Sequence, residues 1–138
     1  MKRKIILGLL AALTVPVIAG CGGGGGGSSS PSESPFAGSY SGTFNDAGNA
    51  QSGTLAATVA TNGQITGSSH NNTTGNTGPA TGSVDNNGNL TVAIAYPGQT
   101  ITDKGSVAFG SNGHLTGNVT ESNGSTQVGS ATIDLVKQ

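Results

Sequence analysis

Few side chains in this sequence could do chemistry, and two carboxylates are the first candidates. Asp103 and Glu121 fall opposite each other when their strands are paired through the turn at residues 111–113. Two carboxylates placed directly across a strand pair repel each other, so such a pair shares a proton, binds a cation or projects into water. Tyr96 and Gln127 are predicted to point toward the same end of the strands. If this protein binds a small ligand, the sequence predicts the site at Tyr96, Asp103, Glu121 and Gln127, and opposed carboxylates there favour a cationic or polyhydroxylated guest.

The remaining polar motifs give no metal site. Asp85, Asn87 and Asn89 have the spacing with which a calcium-binding loop begins. Such a loop requires glycine at its sixth position and glutamate at its twelfth, but Leu90 and Tyr96 stand there. We interpret the segment as a turn and expect no metal and no cofactor.

Nucleophilic catalysis is not expected either. His70 and His114 have the parity of outward-facing strand residues, and no serine or cysteine is placed beside either of them. A nucleophile needs an adjacent base for activation. We therefore expect a protein that is not an enzyme.

The only cysteine, Cys21, lies at the end of an export signal. Lys2, Arg3 and Lys4 precede an apolar run over residues 5–18, which is secretory-signal organisation and shorter than the ~20 residues that span a bilayer. The sequence Ile18-Ala19-Gly20-Cys21 resembles the lipobox of bacterial lipoproteins. That resemblance implies a signal helix cleaved after residue 20, a lipid on Cys21 and, because Gly22 rather than aspartate follows, sorting to the outer membrane.

Residues 21–35 form a predicted tether. Six consecutive glycines and several serines follow the cysteine, and such a composition behaves as a flexible coil with a root-mean-square reach of roughly 20 Å. Without residues 1–20, the chain keeps two lysines, Lys104 and Lys137, against six acidic residues. Nucleic-acid binding needs clustered basic residues, so we expect no nucleic-acid partner. The predicted partner is the membrane, with a possible small-molecule or protein ligand, and we expect a monomer.

The domain from residue 36 to residue 138 is predicted to be all-β. Short alternating segments are separated by Asn-Gly turns that recur every 25 residues, at residues 62–63, 87–88 and 112–113. A three-residue loop ending in glycine at each turn pairs Val59 with Ile65, Val84 with Leu90, and Phe109 with Leu115. A two-residue turn at residues 98–99 would pair Tyr96 with Ile101.

Eight strands result, and short links between them give an antiparallel up-and-down meander that can close into a small barrel. Their predicted bounds are 37–44, 51–60, 64–70, 79–85, 89–96, 100–110, 114–121 and 126–136. The predicted apolar face comprises Tyr40, Phe44, Leu55, Val59, Ile65, Val84, Leu90, Val92, Ile94, Val107, Phe109, Leu115, Ile133 and Leu135. The other face is mostly Thr, Ser and Asn, which argues against a lipid-facing barrel.

Five glycines have inward parity, namely Gly67, Gly82, Gly105, Gly117 and Gly129. They either let the strands coil sharply or leave an interior cavity. Lipocalins and avidins resemble the predicted strand count and meander, although none of their motifs is present, so the likeness is architectural. The sequence thus predicts a membrane-anchored binding module, and a structural spacer of the cell envelope without a pocket is the alternative.

Overall fold

A computed structural model describes residues 32–138 of the chain. The predicted signal helix, the lipobox with Cys21 and most of the predicted tether lie outside the described residues. Within residues 32–138 no helix is long and apolar enough to cross a bilayer.

Eight antiparallel strands close into one barrel, so the predicted all-β up-and-down fold is confirmed. Each strand pairs with its neighbours in sequence, and the first strand pairs with the last. The strands are β1 (Gly38–Asp46), β2 (Gln51–Val59), β3 (Gln64–Asn71), β4 (Thr77–Val84), β5 (Asn89–Tyr96), β6 (Gln99–Phe109), β7 (Leu115–Asn123) and β8 (Thr126–Lys137). Closure pairs both edges of the sheet with each other, except where β8 extends beyond Thr132, its last residue paired with β1.

The three Asn-Gly turns lie together at one end of the barrel, which we call the closed end. Gly63, Gly88 and Gly113 have φ angles of 81°, 86° and 78°. Only glycine adopts this left-handed conformation at little cost, and a three-residue loop ending in it sets the register. Val59 pairs with Ile65, Val84 with Leu90 and Phe109 with Leu115, as predicted.

The turn between β5 and β6 differs from the prediction. Tyr96 pairs with Gln99, and Ile101 pairs with Ile94 instead of Tyr96. The two turn residues are therefore Pro97 and Gly98. Proline presets the φ of the first turn position, and Gly98 supplies the positive φ, 82°, of the second. Placing glycine first in this turn overlooked the preference of proline for that position.

Apolar side chains from all eight strands fill the barrel beside the closed end. The predicted apolar face is confirmed except at Phe109, which is 45% exposed. Phe36, which precedes β1, is buried in its place. The phenol of Tyr40 donates a hydrogen bond of 2.7 Å to the carbonyl oxygen of Phe36. Ser34, placed in the tether by the sequence, is also buried, and its backbone N–H donates to the carbonyl of Thr61.

Four of the five inward-parity glycines lie where the backbones of adjacent strands approach each other closely. A Cβ on Gly67, Gly82, Gly105 or Gly117 would collide with a backbone carbonyl oxygen of the adjacent strand. Close approach of neighbouring backbones is a recognised reason for glycine within a strand. None of the five inward-parity glycines lines either interior cavity, so the cavity has another origin.

Candidate ligand-binding site at the open end of the barrel

The end of the barrel opposite the Asn-Gly turns contains a pocket of about 200 Å³; we call this the open end. Phe44, Leu55, Ile94, Val119 and Ile133 form the apolar part of its wall. The polar part comprises Asp46, Asn49, Gln51, Ser69, Asn71, Tyr96, Gln99, Asp103 and Glu121. Drug-sized ligands occupy pockets of about 300–1,000 Å³, so this pocket fits a smaller guest.

Asp103 on β6 and Glu121 on β7 are direct partners across the strand pair, as the register predicted. Both side chains line the pocket and are partly buried. No Lys, Arg or His side chain lines the pocket to compensate them. Two acidic groups thus face the same small volume, which makes its electrostatic potential attractive to cations.

Asp103 lies where the polar pocket meets a second, apolar cavity. This chamber of about 70 Å³ lies deeper in the barrel and shares Leu55, Ile94 and Val119 with the pocket. The Oδ1 atom of Asp103 is buried and has no hydrogen-bond partner among the described residues. Desolvation by burial raises the pKa of Asp103 from 3.8 to about 6. A buried carboxylate oxygen without a donor is energetically costly, and a guest that donated a hydrogen bond would remove that cost.

Asp46, the last residue of β1, belongs to the same cluster but was not predicted. Its side chain is only 1% exposed and contacts the carboxyl group of Glu121. Burial opposes ionisation of Asp46, but hydrogen bonds from Asn49, Glu121 and Gly48 outweigh it and hold its pKa below the ordinary value. Tyr40, Phe44 and Asp46 share inward parity, so a β1 strand extended by two residues would have revealed this group.

The pKa of Glu121 is shifted in the opposite direction, above its ordinary value. Burial is the main cause that raises its pKa from 4.5 to about 7, and the hydrogen bond to Asp46 and the charges of Asp103 and Asp46 add to it. Two carboxyl groups in hydrogen-bond contact attract each other only when one carries the proton. The directions of the two pKa shifts assign that proton to Glu121 and the negative charge to Asp46.

Tyr96 lies in the pocket wall, as predicted. Its hydroxyl lies 2.7 Å from the Oγ atom of Ser69, a fully buried serine on β3. Burial raises the pKa of Tyr96 above 10, and the nearby Asp103 and Glu121 raise it further, while the Ser69 hydrogen bond opposes the shift. The phenol therefore stays protonated, and its partner Ser69 is a pocket residue that sequence parity had not singled out.

Gln127 does not line the pocket, so its assignment to the site is wrong. It is exposed and pairs with Ser122, whereas Glu121 pairs with Gly129. Val128 is thus an extra residue in β8, a β-bulge that reverses inward and outward positions beyond it. Val128, not Gln127, lines the pocket. The bulge could not be found by extending a regular register.

The titratable side chains that line this site are three carboxyl groups and a phenol, those of Asp46, Asp103, Glu121 and Tyr96. Residues 32–138 contain no group of three or more His, Cys, Asp and Glu side chains placed to hold a metal ion. His70 contacts Thr77 and His114 contacts Asp134, and neither histidine lines the pocket. The carboxyl groups of the site can accept hydrogen bonds from a positively charged donor, and the phenol of Tyr96 can donate or accept one.

Comparison with known proteins adds no identity: no protein-family model, curated protein or solved structure matches this chain. The fold and the pocket together describe a small closed antiparallel β-barrel with an acidic cavity at one end.

Proposed function

We propose that this chain is an exported lipoprotein, held on the outer membrane by a lipid on Cys21, whose barrel binds a small cationic molecule at the open end. The anchoring half of the proposal rests on Ile18-Ala19-Gly20-Cys21 and the basic and apolar segments before it. The binding half rests on the pocket. An interior cavity of this size supports a binding module over a structural spacer without a pocket.

The observation that carries the binding proposal is the unpartnered Oδ1 atom of Asp103. Buried polar groups in proteins nearly always have a hydrogen-bond partner, and an exception calls for an explanation. An ammonium group bound between Asp103 and Glu121 would donate to both carboxylates. Charge-assisted hydrogen bonds of this kind are about twice as strong as neutral ones.

The polar pocket and the apolar chamber beside it would together suit an amine with a short apolar tail. Asp103 lines both the polar pocket and the apolar chamber, and the chamber is lined by side chains such as Val92, Val107 and Leu135. An ammonium head would stay at the carboxylates while a few methylene groups entered the chamber. Each buried methylene contributes roughly 0.8 kcal/mol.

Under lipid anchoring, the tether would be attached at the end of the barrel opposite this site. The chain enters the barrel at the closed end, where Ser34 and Phe36 are packed, and β1 runs from there toward the open end. A tether that leads back to Cys21 therefore leaves from the face opposite the pocket. Attached there, the tether would leave the mouth open to the aqueous compartment, where polar small molecules diffuse.

The test is a thermal-shift titration of the full chain at pH 8 with n-butylamine and with n-butanol. The two probes share an apolar tail and differ in charge. We expect the amine to raise Tm in a saturable way and the alcohol to have little effect. Asp103→Asn should weaken the amine response at least tenfold in apparent Kd.

Asp134→Asn is the matched control, because Asp134 is a carboxylate on the outer surface, beside His114. It should leave the amine response unchanged. Equal responses to amine and alcohol, or an undiminished response in Asp103→Asn, would refute binding of a cationic guest at this site.

A further inference from the structure

The barrel wall has a weak seam at its open end, between β1 and β8. The pairing of these strands runs from Tyr40 opposite Lys137 to Asn45 opposite Thr132. β8 continues to Thr126, beyond the last β1 partner. Here β8 is bound to β7 on one side only, and it contains the bulge at Val128.

Beyond the last β1–β8 pair, the side chain of Asn49 bridges the seam. Asn49, in the loop between β1 and β2, donates its Nδ2 to the carbonyl oxygen of Val128 at 2.9 Å. The same amide group donates to Oδ2 of Asp46, and the backbone N–H of Asn49 donates to Oδ1 of Asp46 at 3.1 Å. The loop is exposed, and Ala50 within it has a φ of 50°, which costs a non-glycine residue energy.

The wall at the seam is one layer of side chains thick. Asn49 and Val128 line the interior pocket, and both also line a groove on the outer surface of the barrel together with Gly48, Gly129 and Ser130. Displacing Asn49 would therefore join the groove to the pocket.

Asp46 holds Asn49, and Glu121 in turn contacts Asp46 from the pocket side. Gly129 provides the room, since a Cβ there would lie within 2.7 Å of Asn49, Glu121 and Asp46 atoms. The titratable groups that face Glu121 are Asp46 from β1, Asp103 from β6 and Tyr96 from β5. None of them is a cation, so the contact between Glu121 and Asp46 depends on a proton.

We propose that the seam is a proton-held side gate: a proton between Glu121 and Asp46 keeps Asn49 latched to Val128, and its loss opens the pocket laterally. This inference rests on the proposed function, because it describes access to the same pocket. Loss of the proton places two carboxylates in contact, and their repulsion moves the Asp46 carboxylate away from its position against Asn49. Asn49 then loses the acceptor of its backbone N–H and leaves the carbonyl of Val128.

The charge of Glu121 determines at which pH the gate opens. The pKa of about 7 for Glu121 places the change near neutral pH. Above it the gate opens and the pocket gains a negative charge, so a cationic guest enters and binds. Below it the charge is lost and the seam closes. Binding of a cation by the open form must release a proton by linkage.

The gate is tested without any guest. Amide exchange of residue 49 is measured by NMR on the full chain from pH 5.5 to pH 8.5 and corrected for the intrinsic pH dependence of exchange. In the wild type we expect the protection factor to fall at least tenfold. The amide of Gly75, which donates to the carbonyl of Asn71 in the β3–β4 loop, is the internal reference and should change less than twofold.

Two variants separate the gate from general loosening. Glu121→Gln keeps a donor toward Asp46 at every pH, so protection at residue 49 should stay high throughout. Asn49→Ala removes the side-chain bridge to Val128 but keeps the backbone N–H that donates to Asp46. Protection at residue 49 at pH 5.5 should therefore be lower than in the wild type, because the loop is no longer held to β8. Constant wild-type protection, or a fall in Glu121→Gln equal to that of the wild type, would overturn the gate. Because no amine is present, either result is independent of whether the pocket binds one.

Discussion

The ring of Phe36 stacks on the ring of Phe109 with centroids 5.7 Å apart and an interplanar angle of 20°. Phe36 comes from the segment before β1, and Phe109 ends β6, so the contact fastens the incoming chain across the closed end. Phe36 is 6% exposed, whereas Phe109 is 45% exposed.

This asymmetry predicts the effect of truncating each ring. Phe36→Ala should lower the free energy of unfolding by about 3–5 kcal/mol, because it removes a buried aromatic side chain and leaves a cavity. Phe109→Ala should cost less than half as much, because its ring already contacts water. Urea denaturation of the two variants measures both values. An equal loss of unfolding free energy in both variants would contradict the burial of Phe36 in the core at the closed end.

The turn glycines predict a second difference. Gly88 and Gly113 share a positive φ, but a Cβ on Gly88 would collide with the carbonyl oxygen of Val107, while a Cβ on Gly113 meets nothing within 4 Å. Gly113→Ala should therefore lower the free energy of unfolding by about 1 kcal/mol, from backbone strain alone. Gly88→Ala should lose clearly more, as measured by thermal unfolding. If Gly113→Ala were the more damaging variant, the packing at the closed end would be misassigned.

The acidic cluster predicts how stability depends on pH. The pKa values of Glu121 and Asp103, about 7 and about 6, lie above their ordinary values. Between pH ~4 and pH ~7 the folded chain therefore holds protons that the unfolded chain has released, and stability must fall as pH rises through this window. Asp46 acts oppositely, since its lowered pKa stabilises the fold above pH ~4 and this contribution is lost on acidification.

The measurement is Tm between pH 4.5 and pH 8. The wild type should lose stability across this range, and the double variant Asp103→Asn with Glu121→Gln should show a much flatter curve and a higher Tm at pH 8. Asp134→Asn, on the outer surface, should reproduce the wild-type slope. A double variant with the wild-type slope would show that these carboxyl groups do not titrate as described.

Lipidation at Cys21 is the fourth prediction. Mass spectrometry of protein extracted from membranes should find an N-terminal Cys21 that carries two or three acyl chains, because Ile18-Ala19-Gly20-Cys21 matches the lipobox pattern. Cys21→Ser should move the protein into the soluble fraction. A Cys21→Ser protein that remained membrane-bound at wild-type levels would contradict lipid anchoring.

Local turn chemistry made most of the fold predictable. Each Asn-Gly turn fixed the register of one hairpin, and a register carries inward and outward parity along both strands. That is why Asp103 and Glu121 were correctly paired at a distance from their turn. The predicted pairing of Tyr96 with Ile101 was wrong because it depended on choosing between two adjacent turns.

The rest of the site depends on irregularity and on contacts between distant segments. The bulge at Val128 reverses the parity on which the choice of Gln127 depended. The contact of Asp46 with Glu121 exists only because β1 and β8 meet on closure. Raised pKa values likewise depend on burial, which residue spacing does not reveal.

Closure through β1 and β8 also has a consequence for how the chain folds. Seven of the eight strand pairs are hairpins with short links, whereas every β1–β8 pair joins residues at least 87 apart, the separation of Asn45 and Thr132. Bringing such distant segments together costs about 2–3 kcal/mol more in chain entropy than closing a five-residue link. Contacts of high sequence separation slow folding. The seven hairpins should therefore form first, and the β1–β8 pairing that closes the barrel should form last. Variants that weaken this pairing should accelerate unfolding more than they slow refolding.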